Sequence, residues 1–140
     1  MQSDVGTSCA FAAGVIIKSL EDLQIYRDAL EAAEAISALL RREEFRRDFN
    51  LRNQLAAASD KVASHISEGY GQQTDRHFAH FLAIARGSCN EIRTHLAIAR
   101  ARDCVSRQEY ELAAERYVRI GKRLTRLMQY LQATDRKQRG

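Results

Sequence analysis

The residues best suited to chemistry crowd into one stretch, SHISEGYGQQTDRHF, from Ser64 to Phe78. It holds His65, Glu68 and His77, and His80 follows directly. An imidazole beside a carboxylate can move protons or hold a metal. His77 and His80 stand three apart, and Glu91 and His95 four apart, so each pair would share a helix face. A zinc site from His77, His80 and Glu68 is therefore one reading, and satisfied or exposed histidines are the other. A di-iron bundle needs Glu-x-x-His on two helices, and that pattern occurs nowhere in the chain. Gly69-Tyr70-Gly71 lacks the Gly-Lys-Ser/Thr of a phosphate loop. Cys9, Cys89 and Cys104 are scattered and form no Cys-x-x-Cys pair, as expected of a reducing cytoplasm. Cys89 falls on an apolar stripe, where small buried thiols are usual. We therefore expect no catalytic residues, no metal and no cofactor.

The elements that carry these residues read as helices. The 140 residues include no proline and only seven glycines, too few turn formers for a β-sandwich. Apolar residues make up 45% and charged residues 29%, which suits one globular domain with a core. Ser19, followed by Asp22, predicts a start for helix one, over about Leu20 to Arg42. Its stripe is Leu23, Tyr26, Leu30, Ala33, Ser37 and Leu40, widened by Ile36 and Leu39. The run RREEFRRDFN reads as a charged hinge, with Asn50 as a cap. Helix two then spans about Asp48 to Glu68, through Leu51, Leu55, Ala58, Val62, His65 or Ile66, and Gly69. Gly69 and Gly71 are expected to end it in left-handed conformation. Thr74 predicts the cap of helix three, Asp75 to Arg102, which carries Phe78, Phe81, Leu82, Ala85, Cys89, Ile92, Leu96 and Ala99. Gly87 and Ser88 within it are expected to let a neighbouring helix approach. Ser106 predicts the cap of helix four, Arg107 to Thr134, and residues 135–140 form a basic tail. Helices of this length joined by short links predict an all-α, antiparallel up-down four-helix bundle over residues 19–134. Glu68 is expected to be a partly buried partner for Arg86, Ser88 or Asn90.

Residues 1–18 differ from the rest. The apolar run from Cys9 to Ile17 has nine residues, too few to span a bilayer. Asp4 precedes it and no Lys or Arg does, so the charged start of a signal peptide is missing. A poorly ordered leader without membrane contact is expected.

The net charge of +4 is unevenly spread. Residues 1–34 hold six acids and two bases, whereas residues 116–140 hold eight bases and one acid. Arg116, Arg119, Arg123 and Arg126 share one face of helix four, and Lys122 lies near it. Arg86, Arg93 and Arg100, each seven apart, share a face of helix three. Three readings stay open: a solvated face partly paired with acids, a seam between subunits, or a surface that binds RNA or DNA phosphates. Arginine suits the last two, because its planar fork grips phosphate or carboxylate with two parallel bonds. For a nucleic-acid surface the candidates are Arg93, Arg100, Arg116, Arg119, Arg123 and Arg126.

Three segments carry a family likeness: SLEDLQIY opening helix one, SHISEGYGQ ending helix two, and HFAHFLAIARGSCNEIRTHLAIA in helix three. They resemble the proteins encoded in intervening sequences of bacterial 23S ribosomal RNA genes, a family that includes accessory proteins of diversity-generating retroelements. The family's turn is held here by Ser64, His65, Ile66, Ser67, Glu68, Gly69, Tyr70, Gly71 and Gln72. Its helix-three pattern is held by Phe78, Phe81, Leu82, Ala85, Gly87, Ser88 and Glu91. His65 replaces a usual asparagine, Gln72 a usual basic residue, Ala63 a common proline and His77 a frequent glutamate. The resemblance implies a ring-like homopentamer and a non-enzymatic binding module. It further implies nucleic acid, and in some members a reverse transcriptase, as partners. A protein–protein scaffold or accessory subunit without nucleic-acid binding is the alternative. Glu68, Gly69, Tyr70 and Gly71 become the structural turn holding helices two and three in register.

Overall fold

A computed structural model describes residues 19–20 and 23–140. The leader expected over residues 1–18, and Asp22 with it, lie outside the described residues. The elements are α1 (Gln24–Leu40), α2 (Glu43–Arg46), α3 (Phe49–Tyr70), α4 (Asp75–Ala101) and α5 (Arg107–Arg139). The four long helices run up and down, and α1–α3, α3–α4, α4–α5 and α5–α1 are the packed neighbours. The all-α, antiparallel four-helix bundle is the observed fold.

The packing follows from spacing. On α4 the buried residues Phe78, Leu82, Ala85, Cys89, Ile92, Leu96 and Ala99 alternate at steps of four and three. That averages 3.5 residues, the repeat that keeps one seam facing its neighbours as helices wrap left-handedly. Leu55, Ala58, Val62 and Ile66 of α3 meet it, with Ile36 of α1 and Tyr117, Leu124 and Leu131 of α5, all at 3% exposure or less. Several helix limits differ from the expectation, each for a packing reason. Ser19 does not cap α1. Its N-cap is Leu23, which has no side-chain cap bond and is buried, so a core anchor sets the start. The charged hinge contains α2, whose Phe45 is fully buried. Asp48, not Asn50, caps α3, its carboxylate accepting from the Leu51 amide at 3.3 Å. Thr74 caps α4 as expected, accepting from the His77 amide at 3.2 Å. Ser106 caps α5 in a full capping box, with Glu109 returning to the Ser106 amide at 2.8 Å. The left-handed residue between α4 and α5 is Asp103, at φ 59°. Helix α5 continues to Arg139 and so takes in most of the segment set apart as a tail.

The ends are tied by charge. Where α2 closes the bundle, Arg42 pairs with Glu109, and Arg102 with Asp48 at 2.7 Å. Both carboxyls sit below their ordinary range. Glu109 is held down first by the Ser106 amide and then by Arg42, and Asp48 by Arg102.

Candidate nucleic-acid interface

The stretch from Ser64 to Phe78 is a helix junction. Gly69 is not left-handed; it lies inside α3, and Gly71 has an ordinary φ of −77°. Its glycine is needed for proximity. A Cβ there would stand 2.8 Å from Phe78 Cδ1, 3.0 Å from Phe81 Cβ and 3.2 Å from the Phe78 carbonyl. The aromatic rings complete the joint: Tyr70 meets Phe78 edge-on at 6.4 Å, and His65 stacks on Phe81 at 6.2 Å. Glu68 does not reach Arg86, Ser88 or Asn90 as expected. Its side chain is 54% exposed, with Oε1 4.0 Å from His65 Nδ1 one turn back on the same helix. That position follows from geometry, since Glu68 and Gly69 point about 100° apart on a helix and only Gly69 faces α4. His77 Nδ1 lies 2.8 Å from Thr74 Oγ1, and both histidines of the 77/80 pair are exposed. Among the described residues no three His, Cys, Asp or Glu side chains gather as a metal-ligand group. Burial lifts the Cys89 thiol to about 12, far from a nucleophile's range.

The arginines of α5 divide between two grooves, one on each side of their row. On the α1 side, Arg116, Arg119 and Arg123 surround Ile120 opposite Asp28 and Glu31. Arg123 pairs with Asp28, and Arg119 with Glu115 at 3.0 Å. Arg119 and Arg123 meet carboxylates and Arg116 stands near Asp28 and Glu31, so the field here is largely cancelled. On the α4 side a groove of about 410 Å³ is lined by Arg86, Asn90, Arg93, Tyr117, Val118, Gly121, Lys122, Thr125 and Arg126. Its cations come two from each helix, and among the described residues no carboxylate lines it. Arg86 donates to Thr125 Oγ1 at 3.1 Å and Arg93 to Asn90 Oδ1 at 3.4 Å. Both guanidiniums are thus oriented by neutral partners and keep their charge uncompensated. Arg100 stands apart, 3.8 Å from Asp103 at the end of α4.

Of the six expected residues, the structure therefore brings Arg93 and Arg126 together. It places Arg116, Arg119 and Arg123 on the acid-lined face. Arg86 and Lys122 join the groove although neither stood among the six. The signal for Arg86 was its heptad relation to Arg93. For Lys122 it was the four-residue step to Arg126, which puts both on one face of α5.

Gly87 was expected to admit a neighbouring helix. An added Cβ there would meet nothing within 4 Å among the described residues, and the same holds at Gly121 on the groove floor. Of the Gly87-Ser88 pair, only Ser88 is buried in the interface.

No helix of the described residues is long and apolar enough to cross a membrane. No curated protein matches the chain. In the crystal structure of a protein of unknown function from the S23 ribosomal protein family of Bacteroides thetaiotaomicron, a similar fold appears with a TM-score of 0.68. That likeness has 20% identity and covers 74% of this chain and 97% of the other. The model of the 23S rRNA-intervening sequence protein family matches residues 21–126, and with that match across the bundle the chain belongs to this family.

Proposed function

We propose that the protein is a binding module that holds nucleic acid by its phosphates along the α4–α5 groove. The observation that carries this reading is the charge of that groove: Arg86, Arg93, Lys122 and Arg126 line it with no carboxylate among the described residues. Surface arginines are ordinarily matched by acids, as Arg119 is by Glu115 and Arg123 by Asp28. An unmatched set costs self-repulsion, which an anion relieves. A non-catalytic role fits a chain whose Cys89 thiol is buried and raised to about 12.

Binding that neutralises about four phosphates of a single strand should have a log–log salt slope near −3, a loss of roughly 50-fold between about 50 and 200 mM salt. Filter binding or fluorescence anisotropy with a single-stranded RNA measures it. Arg93→Ala and Arg126→Ala should each flatten the slope by about 0.7, while Arg119→Ala leaves it unchanged. Salt-independent binding, or none at low salt, refutes the proposal.

Self-association belongs to the same proposal. Phe49 and Leu112 are 63% and 60% exposed, apolar side chains that a second copy of the chain would cover. A ring of protomers, pentameric by the family resemblance, would cover such residues. Light scattering that returns the 15.9 kDa of a single chain refutes assembly. An assembled protein that ignores RNA at every salt concentration would instead establish the protein-scaffold reading.

A further inference from the structure

Two details of the α4–α5 groove exceed what a general basic surface requires. The first is charge density. Four cations surround one groove of about 410 Å³, a size that suits a small-molecule or nucleotide-sized ligand. Successive phosphates of a nucleic-acid backbone are separated by a whole sugar and carry one charge each. A strand must therefore run along the whole groove to meet all four cations. The phosphates of a polyphosphate share bridging oxygens and bring three or four charges into the same space.

The second detail is the floor. Gly121 sits mid-helix in α5, where glycine weakens a helix relative to alanine. No packing contact explains it, because an added Cβ would meet nothing within 4 Å among the described residues. What the missing side chain does is leave the groove open between Val118, Lys122 and Thr125. Arg86 and Arg93 are meanwhile held by Thr125 and Asn90 at 3.1 and 3.4 Å. Hydroxyl and amide partners orient the forks and leave N–H donors for phosphate oxygens.

We infer that the groove is a polyphosphate pocket, which takes the terminal triphosphate of an RNA or a free nucleoside triphosphate. Arg86, Arg93, Lys122 and Arg126 supply the four positive charges, and Gly121 supplies the depth. This rests on the reading of the groove as a phosphate-binding site.

The test compares two RNAs of one sequence, bearing a terminal triphosphate or a terminal hydroxyl, by fluorescence anisotropy with the full chain. The triphosphate form should bind about tenfold tighter or more, the effect of one or two extra charge-assisted bonds. Gly121→Leu should abolish that preference with an undiminished melting temperature, because the new side chain fills only open groove. Competition separates the sources. Displacement by ATP and by inorganic tripolyphosphate at similar concentrations assigns the site to free polyphosphates. Weak displacement by both assigns it to the RNA end. ATP that competes where tripolyphosphate does not would overturn the polyphosphate assignment. Equal affinity for the two RNAs overturns the inference and leaves the proposed function standing. Failure of both RNAs to bind at low salt overturns both.

Discussion

Alanine substituted at two glycines should move stability in opposite directions. Gly69 and Gly121 both lie inside long helices, and at each the change removes glycine's backbone-entropy cost, a gain of about 1 kcal/mol. At Gly121 nothing opposes the gain, since the new Cβ finds no atom within 4 Å among the described residues. At Gly69 the Cβ meets Phe78 Cδ1 at 2.8 Å, Phe81 Cβ at 3.0 Å and the Phe78 carbonyl at 3.2 Å. Phe78 is buried at 3% exposure, so its ring has little room to turn. The other two atoms belong to the α4 backbone or sit directly on it, so relief requires α3 and α4 to move apart. Overpacking of this kind costs about 1–3 kcal/mol. Its spread takes the net effect of Gly69→Ala from neutral to a loss of about 2 kcal/mol, with a mid-range loss near 1. Set against a gain of about 1 kcal/mol for Gly121→Ala, the two variants should differ by about 2 kcal/mol. At roughly 4 °C per kcal/mol that is a gap of about 8 °C in melting temperature. Urea and thermal unfolding followed by circular dichroism measure both, at one protomer concentration because assembly shifts apparent stability. A Gly69→Ala protein as stable as Gly121→Ala would refute the account of Gly69 as a point of close helix approach.

Arg123→Glu would set a carboxylate against Asp28 across α1 and α5. It should destabilise by no more than about 1 kcal/mol at low salt, with the loss shrinking as salt rises; an effect unchanged in high salt would refute an electrostatic cause. Glu109 and Asp48 have lowered pKa values in the fold, so their stabilisation is present above the ordinary carboxyl range and lost as pH falls through the folded values. Acid unfolding should therefore start at the α2 end of the bundle, and Glu109→Gln should weaken the pH dependence there, as hydrogen exchange would detect. Cys89, raised to about 12 by burial, should have roughly one thiolate in ten thousand at pH 8. Alkylation should wait for unfolding, and fast labelling of Cys89 in the native protein would contradict its buried placement.

The α4 stripe was fully legible in sequence, because seven apolar residues at steps of four and three leave only one face to bury. The caps Thr74 and Ser106 were legible for a local reason: a cap bonds three residues ahead. Glu109 was open to the same reading, since Ser106-Arg107-Gln108-Glu109 carries the capping-box pattern. The face of α1 was misread, since Ile25, Ala29, Ala32 and Ile36 are buried while Leu30 and Ser37 of the expected stripe are exposed. What else escaped depends on neighbours distant in sequence. Phe45 is one apolar residue among charges, and a helix of four residues has no periodicity to find. Gly69 looks like a helix end from its own strand of sequence, and only the approach of Phe78 and Phe81 explains it. The arginine row of α5 was legible, but neither its division between two grooves nor its acid partner was, because Asp28 lies 95 residues from Arg123.

That last gap explains how one helix can carry two kinds of arginine. Helix α5 packs between α1 and α4, and these neighbours bring opposite charge. From α1 come Asp28 and Glu31, which face Arg116, Arg119 and Arg123. From α4 come Arg86 and Arg93, which stand beside Lys122 and Arg126. The first arrangement holds helices together, weakly, because each pair is partly solvated. The second pushes them apart and, beyond the Arg86–Thr125 bond, gives little to the fold. It is tolerated because burial of Tyr117, Leu124, Met128 and Leu131 holds α5 in place by area rather than charge. A bundle whose core is this continuous can keep like charges along one groove, and that positive field is what the proposed anionic partner would meet.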